Sequence, residues 1–271
     1  MTTETFFFDP KALDALARQL HPGYVSATPF PHVVLDDFVP ETVLDRVAAE
    51  FPGPDEIPWA QHRDEHSQKL ACSDESHMGA ATRHLLAQLN SATFVNFLET
   101  LTGIDGLVPD PHFFGGGLHQ IERGGYLRIH ADFNFYPKLR LERRLNLLLF
   151  LNRGWDDGYG GHLELWKRDM TACARKLAPV FNRCVVFSTT DTAFHGHPDP
   201  LRCPEGTTRR SLAVYYYSAE RPEGERSAAH STLYRARPGE RAGGGGRREL
   251  AKRFVPPVLL DLVRSLRGRR D

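Results

Sequence analysis

The 271-residue sequence lacks the features that mark several large classes of protein. It carries no excess charge, because 34 lysine and arginine residues balance 34 aspartate and glutamate residues. A chain without net charge offers no broad basic surface to nucleic acid or to an anionic membrane. No apolar run approaches the roughly 20 residues that a membrane-spanning helix needs. The first residues have no basic segment ahead of the short apolar run at 6–8, so we expect no secretion signal.

Cysteine is scarce as well. The chain has four cysteines, which lie far apart and form no CxxC pair: Cys72, Cys173, Cys184 and Cys203. Zinc ribbons and disulfide frameworks both need paired or more closely spaced cysteines. We therefore expect a reduced, cytoplasmic protein of enzyme size that binds neither nucleic acid nor a membrane.

The first hundred residues favour helices. Asp9-Pro10, Pro40 and Ser91 each precede apolar residues at helical spacing, which predicts three helix starts. Residues 32–38 (HVVLDDF) predict a strand, and the polar, turn-rich stretch 53–78 predicts a long loop.

The pattern changes after Gly103. Six short apolar segments bounded by glycine, proline and polar residues replace the helical period: GGGLHQIE, GGYLRIHAD, RLNLLLFLN, GGHLELW, NRCVVFSTT and RRSLAVYYYS. Strands this closely spaced, without helices between them, predict an antiparallel sandwich or barrel. We expect a single domain, with a helical support at 1–104, a β core at 105–220 and a tail at 221–271. The tail holds a glycine-rich linker at 243–246 and a helical pattern at 254–266.

The strand-like segment YLRIHAD places two polar groups on one side. His130 and Asp132 lie two residues apart, so on a strand they share a face. A buried hydrogen bond between them would explain an isolated pair. His195 follows another strand-like segment, however, and two imidazoles with one carboxylate can bind one face of a non-haem iron. His197 is the alternative third ligand.

The segment TTRRSLAVYYYS holds a further pair. Arg209 and Ser211 also share one face of a strand. An arginine that points into a β core needs an anion, because an unpaired buried charge is very costly. A forked guanidinium beside a hydroxyl suits the far carboxylate of a dicarboxylic acid.

In this order, HADFN, FHGHPDP and RRS resemble the iron(II)- and 2-oxoglutarate-dependent oxygenases, in particular the prolyl-4-hydroxylase-like branch. The resemblance covers roughly residues 105–220. LFLNRGW and GGHLELW look like the central hairpin of that branch, and residues 32–51 resemble its N-terminal support. Because Phe194-His195-Gly196 matches the family motif, we favour His195 over His197 as the ligand.

The resemblance implies a mainly β fold, with a double-stranded β-helix (jelly-roll) core supported by N-terminal α-helices. It also implies Fe(II) held by the catalytic residues His130, Asp132 and His195. 2-Oxoglutarate would chelate the iron, with O2 as oxidant and ascorbate as a reductant. We expect the cosubstrate to be bound by Arg209, Ser211, Asn146, Phe150 and Tyr126. A tyrosine often stands at the position of Phe150 in animal relatives, so its phenol donor is lost here. Gln120, Leu148 and Tyr215 are further candidates for the inner face.

The implied reaction is hydroxylation of an unactivated C–H bond with release of succinate and carbon dioxide. Asp132 disfavours halogenation, since related halogenases bind halide in place of that carboxylate. The substrate classes that fit are a prolyl residue, a free amino acid, and a small natural product or sugar. A zinc hydrolase would leave Arg209 unexplained, and a jelly-roll binding protein would not need the Arg-x-Ser pair. A non-catalytic sensor of iron and 2-oxoglutarate would keep every motif.

Overall fold

The computed structural model describes residues 6–240 of the chain. The predicted linker at 243–246 and the helical pattern at 254–266 lie outside the described residues. The four α-helices of the described part are α1 (Pro10–Ser26), α2 (Glu41–Ala49), α3 (Ala80–Leu89) and α4 (Ala92–Thr102). None of the helices in residues 6–240 has both the length and the apolar character needed to cross a bilayer.

The predicted helix starts are confirmed. The Asp9 carboxylate accepts a hydrogen bond from the Ala12 backbone N–H at 2.8 Å, and Pro10 takes the first helical position. Ser91 caps α4 in the same way, accepting from the Phe94 N–H at 3.4 Å. Pro40 is the residue before α2.

Fourteen strands make up the rest of the described fold. They are β1 (His32–Leu35), β2 (Ala60–Arg63), β3 (Ser67–Cys72), β4 (Val108–Pro109), β5 (Gly117–Ile121), β6 (Tyr126–Ala131), β7 (Phe135–Tyr136), β8 (Leu141–Phe150), β9 (Leu163–Trp166), β10 (Cys173–Leu177), β11 (Cys184–Ser188), β12 (His195–His197), β13 (Arg209–Ser218) and β14 (Leu233–Tyr234). They form one sheet with the order β1-β11-β8-β13-β5-β3-β6-β12-β9-β10. β14 pairs with β6, β2 with β3, β4 with β13 and β7 with β8.

The sheet curls on itself. β8 and β6 stand four places apart in the sheet order, yet the Asn146 amide on β8 donates to the carboxylate of Asp132, just after β6, at 2.7 Å. A flat sheet would keep strands that far apart separated by about 19 Å. The strands therefore enclose a concave inner face, and the predicted β core with helical support is confirmed.

The alternation along β8 explains how the core and the site divide. Leu145, Leu147 and Leu149 belong to the large apolar cluster that also contains helix residues such as Phe94. The residues between them point to the opposite, concave side, as the period of two requires. One strand thus supports the helices with one face and supplies site residues with the other.

Two expectations about the fold were wrong. The stretch 53–78 is not all loop, because it contains the β2–β3 hairpin, and β3 lies between β5 and β6 in the sheet. Every residue of β2 is exposed, and the inner side of β3 carries the polar Lys69, so the stretch has no apolar alternation to reveal it. LFLNRGW and GGHLELW form no hairpin either: β9 pairs with β10 and β12, whereas β8 pairs with β11 and β13.

Candidate metal and cosubstrate site

Three predicted ligands meet at one end of the concave face. His130 on β6 lies directly opposite His195 on β12, and Asp132 follows β6 by one residue. The ligand atoms of these three residues, here called the triad, all lie within 4.8 Å of one another. His130 Nε2 is 3.6 Å from Asp132 Oδ1, and His195 Nε2 is 3.5 Å from Asp132 Oδ2.

Backbone carbonyls orient both imidazole rings. His130 Nδ1 lies 2.8 Å from the Arg128 carbonyl oxygen, and His195 Nδ1 lies 2.9 Å from that of Ala193. An Nδ1–H that donates to a carbonyl leaves Nε2 with its lone pair, as a metal ligand requires. Burial lowers the pKa of His195 to about 4, so this ring is neutral at pH 7 and free to ligate.

The third ligand, Asp132, is held by a network that the sequence did not reveal. The Asn146 amide donates to Asp132 Oδ2, and Arg143 Nη2 lies 3.3 Å from the same oxygen. Arg143 also donates to Asn146 Oδ1 through Nε at 3.0 Å and Nη2 at 2.7 Å. Its guanidinium carbon lies 3.5 Å from the centroid of the Tyr215 ring and 4.4 Å from that of Phe133. Although burial alone would raise the pKa of Asp132, the charges of Arg143 and His195 lower it well below its usual range.

A β-bulge explains why the sequence pattern does not predict Arg143 as a residue of the concave face. Leu145 lies opposite Tyr216, but Arg143 lies opposite the next residue, Tyr217, so Arg144 is an extra residue on β8. Strict alternation would put Arg143 on the helix side with Leu145. The bulge reverses the phase and turns Arg143 to the concave side.

The predicted cosubstrate residues lie along the same face. Ser211 on β13 is directly opposite Phe150 on β8, and Arg209 is two residues from Ser211. Arg209 Nε donates to the Gly161 carbonyl at 2.7 Å, and its guanidinium carbon lies 4.9 Å from the centroid of the Phe150 ring. Within residues 6–240 no carboxylate forms a salt bridge with Arg209, and burial lowers its pKa to about 9. The guanidinium is therefore buried, charged at pH 7 and without a counter-ion in the described chain.

Two histidines, His197 and His119, lie close to these residues. His197 is buried, and both of its ring nitrogens lack a hydrogen-bond partner. Burial, followed by the charges of Arg209 and Lys69, lowers its pKa well below the usual range. His119 is affected in the same way by burial and by Lys69. His119 Nε2 lies 3.1 Å from the Gly115 carbonyl oxygen. The two orphaned nitrogens of His197, beside a guanidinium without a carboxylate partner, indicate a cavity that suits a polar ligand.

Two other candidates lie elsewhere. Gln120 is a satisfied core amide, because it accepts from Thr208 Oγ1 at 2.7 Å and donates to the Pro52 carbonyl at 3.3 Å. Tyr126 lies opposite Gln68, on the face away from Lys69, and its hydroxyl donates to the Asp64 carbonyl at 3.0 Å.

A second bulge accounts for the position of Tyr126. His195 pairs with His130, but His197 pairs with Leu127, so the stretch of β6 between these pairs has one residue more than that of β12. The phase of β6 therefore changes between Leu127 and His130. The alternation that places Tyr126 on the same face as His130 does not hold, and the predicted cosubstrate contact of Tyr126 has no geometric support.

The donor set fits the expected metal and cosubstrate. Two imidazole nitrogens and one carboxylate are the ligands that non-haem Fe(II) takes while keeping open positions. The unpaired Arg209 and the orphaned nitrogens of His197 fit a dianionic cosubstrate at the other end of the cavity. Fold and site together define a non-haem iron oxygenase.

Comparison with known proteins agrees with this class. Residues 116–217 match the family model of the 2OG-Fe(II) oxygenase superfamily. The matched segment contains His130, Asp132, His195, Arg209 and Ser211, and the match supports a 2-oxoglutarate-dependent oxygenase whose cofactors are Fe(II) and 2-oxoglutarate. No curated protein sequence matches the chain.

Solved structures confirm the double-stranded β-helix fold. A prolyl-4-hydroxylase from Pseudomonas putida is 18% identical with a TM-score of 0.53, and the match covers 76% of this chain and 98% of that one. A prolyl hydroxylase from Trichoplax adhaerens, in complex with a hypoxia inducible factor peptide fragment, is 14% identical with a TM-score of 0.54. That match covers 80% of this chain and 94% of the other. The resemblance to the prolyl-4-hydroxylase-like branch thus extends to the fold.

Gly196 on β12 lies against β6 and gives a direct test of how closely the two strands that carry the triad approach each other. A Cβ on Gly196 would lie 2.8 Å from the carbonyl oxygens of both Leu127 and Arg128, closer than real Cβ atoms come. Gly196→Ala should therefore push β12 from β6 and weaken Fe(II) binding by roughly 10- to 100-fold, measured by anaerobic metal titration. Gly23→Ala is the matched control, because a Cβ there meets open space. Equal metal affinity in both variants would contradict the close approach of the two strands.

Proposed function

We propose that this protein is a dioxygenase that hydroxylates an unactivated C–H bond of a prolyl, amino-acid-like or small natural-product substrate, releasing succinate and carbon dioxide. The observation that carries the proposal is that the triad lies on the same concave side of the sheet as Arg209, a buried guanidinium without a carboxylate partner among the described residues. When bound there, Fe(II) with 2-oxoglutarate and O2 supplies the oxidising power that no amino-acid side chain has. Ascorbate as a reductant and a cytoplasmic location belong to the same proposal.

The chain's own residues position the reactants. His130, Asp132 and His195 would hold Fe(II), with both imidazoles fixed by backbone carbonyls and Asp132 by Asn146. The ring stack and hydrogen bonds around Arg143 keep that carboxylate ionised and in place. These contacts orient the three ligand side chains toward one point.

The other end of the cavity would hold the cosubstrate. Arg209 and Ser211 offer a guanidinium and a hydroxyl to its distal carboxylate, and the buried Phe150 closes the pocket beside them. Phe150 has no phenol, so Arg209 is the main donor at this position. Apolar and aromatic walls exclude water and strengthen the charge–charge interaction.

The proposed organisation of the chain follows the same division. Residues 1–104 would form the helical support, which also adds β1, β2 and β3 to the sheet. Residues 105–220 would form the oxygenase core, and 221–271 would form the C-terminal tail, whose strand β14 pairs with β6 of the core. The peptide bound to the Trichoplax relative supports a peptidyl substrate, and a small molecule is the alternative that the same cavity supports.

Labelled oxygen gas tests the reaction. With the true substrate, we expect one oxygen atom from O2 in the product and the other in succinate, for each 2-oxoglutarate consumed, as measured by mass spectrometry. Asp132 keeps halide from that position, so oxygen is the group delivered to carbon. Some exchange of the label with water is expected.

The control is the His195→Ala protein, which should consume no 2-oxoglutarate. A product that is oxidised without a new oxygen atom would point to desaturation or ring closure instead. Failure of the wild-type protein to decarboxylate 2-oxoglutarate while it binds iron and 2-oxoglutarate would favour a sensor.

A further inference from the structure

The β2–β3 hairpin brings a lysine to the concave face. Lys69 lies opposite His62 on β2, and Ala71, on the same face of β3, lies opposite His119 on β5. His119 in turn lies opposite Ser211 on β13. Since directly opposed residues share a face, Lys69 faces the same cavity as the cosubstrate residues.

The Lys69 ammonium has no partner. It forms no hydrogen bond and no salt bridge within residues 6–240. Burial lowers its pKa to about 8, and the charges that act on it are, in decreasing order, those of Asp132, Arg143, Arg209 and Asp64. The Asp64 carboxylate is already engaged, because it accepts from two backbone N–H groups at 2.8 Å each. The Lys69 side chain is half-buried, and no partner among the described residues compensates for the hydration that it loses.

The charges around the cavity do not cancel. Lys69, Arg143 and Arg209 are positive, whereas Asp132 and the more distant Asp64 are negative. Bound Fe(II) would add two positive charges and bound 2-oxoglutarate two negative ones, so loading the site leaves the balance unchanged. At least one positive charge therefore stays uncompensated in the loaded site, and a further anion would stabilise it.

Lys69 is separated from Arg209, the residue assigned to the distal carboxylate of the cosubstrate. Arg209 and Lys69 lie on β13 and β3, with β5 between them, so their backbones are about 10 Å apart. The Asp132 carboxylate is the charge that acts on Lys69 most strongly. The end of the β2–β3 hairpin is also close to the triad. The His66 ring stacks on the Tyr234 ring with centroids 4.0 Å apart, and Tyr234 pairs with His130. The hairpin thus borders the part of the cavity in which a substrate would meet the metal.

We infer that Lys69 binds a carboxylate of the primary substrate, so that the compound hydroxylated is a small organic acid rather than a neutral molecule. The inference rests on the proposed function, because it assigns Arg209 to 2-oxoglutarate and leaves Lys69 for the second ligand. His62 and His119 flank Lys69 on the neighbouring strands and add hydrogen-bonding groups to the same wall.

Acetate and acetamide are a matched pair of probes, equal in size and different in charge. The protein is loaded anaerobically with Fe(II) and saturating 2-oxoglutarate, and the midpoint of thermal unfolding is measured against probe concentration. Acetate should raise the midpoint of the wild-type protein, and acetamide should not. Lys69→Met should need at least about ten times more acetate than the wild-type protein for the same rise in the midpoint, while Lys69→Arg should need the same acetate concentration as the wild-type protein. Lys138→Met, which removes an exposed lysine, is the control for loss of charge.

The affinity for 2-oxoglutarate separates this inference from the proposed function. It is read from the visible charge-transfer band of the Fe(II) complex, and it should change less than threefold in Lys69→Met. If 2-oxoglutarate binding weakens in Lys69→Met as much as in Arg209→Met, Lys69 holds the cosubstrate and the inference is wrong. It is equally wrong if acetate has no effect on the wild-type protein or if acetamide matches it. A wild-type protein that gives no band with 2-oxoglutarate would instead remove the proposed function.

Discussion

Replacing His195 with alanine is expected to abolish Fe(II) binding, whereas His197→Ala should leave the metal bound. His195 Nε2 lies 3.5 Å from Asp132 Oδ2 and joins the triad, whose ligand atoms are within 4.8 Å of one another. His197 is two residues further along β12 and pairs with Leu127, away from His130. The measurement is iron content after anaerobic loading and removal of free metal, with oxygenase activity as a second readout.

The two variants control for each other. Both remove a buried imidazole from the same short strand, so a general loss of folding would affect them alike. Circular dichroism before loading shows whether each variant is folded. Metal retained by His195→Ala and lost by His197→Ala would transfer the ligand role to His197.

Arg209→Ala should weaken 2-oxoglutarate binding by roughly 10- to 150-fold, because a charge-assisted hydrogen bond in a buried site contributes about 1.5–3 kcal/mol. The guanidinium has no carboxylate partner among the described residues, so nothing else there compensates the cosubstrate's distal charge. Anaerobic titration of the Fe(II)-loaded protein, followed through the charge-transfer band, gives the affinity directly. Iron content should stay at the wild-type level, since Arg209 lies outside the triad.

Arg210→Ala is the matched control on the neighbouring position. Arg210 points to the opposite side of β13, where its Nε donates to Thr208 Oγ1 at 3.1 Å and its guanidinium lies 5.5 Å from the Phe51 ring. Its removal should leave 2-oxoglutarate affinity within a factor of about two. A loss of affinity in Arg210→Ala with none in Arg209→Ala would mean that the inward phase of β13 is shifted by one residue.

The parts of the site that follow strict alternation could be predicted from the sequence. Asn146 and Phe150 share the concave face of β8 because no bulge lies between them, and Arg209 and Ser211 do so on β13. The Asp9 cap of α1 is a local signal as well, complete within four residues. In each case the physical cause is a short-range rule of the backbone.

The site residues that the sequence did not predict owe their positions to strands that are distant in sequence. Arg143 reaches Asp132 because of an extra residue at Arg144, and that bulge exists only relative to β13. Tyr126 does not share the face of His130, because β6 has one residue more than β12 between the pairs His130–His195 and Leu127–His197. Lys69 stands in a polar stretch without periodicity, and only the pairing of β3 with β5 and β6 gives it a direction. A single sequence does not show where such registers shift.

The last described strand bears on where this enzyme can be cut. The family match ends at residue 217, which marks β13 as the natural end of a minimal fragment. Yet β14 pairs with the strand that carries His130, and the Arg235 N–H donates to the Ile129 carbonyl at 2.8 Å. The Asn134 amide, close to Asp132, also holds the backbone at Ala228 and His230. A truncation after residue 220, or proteolytic cleavage of the segment that follows it, would keep all three metal ligands. It would nevertheless remove the pairing of β14 with β6 and the contacts of Asn134, which hold the segment that carries His130 and Asp132.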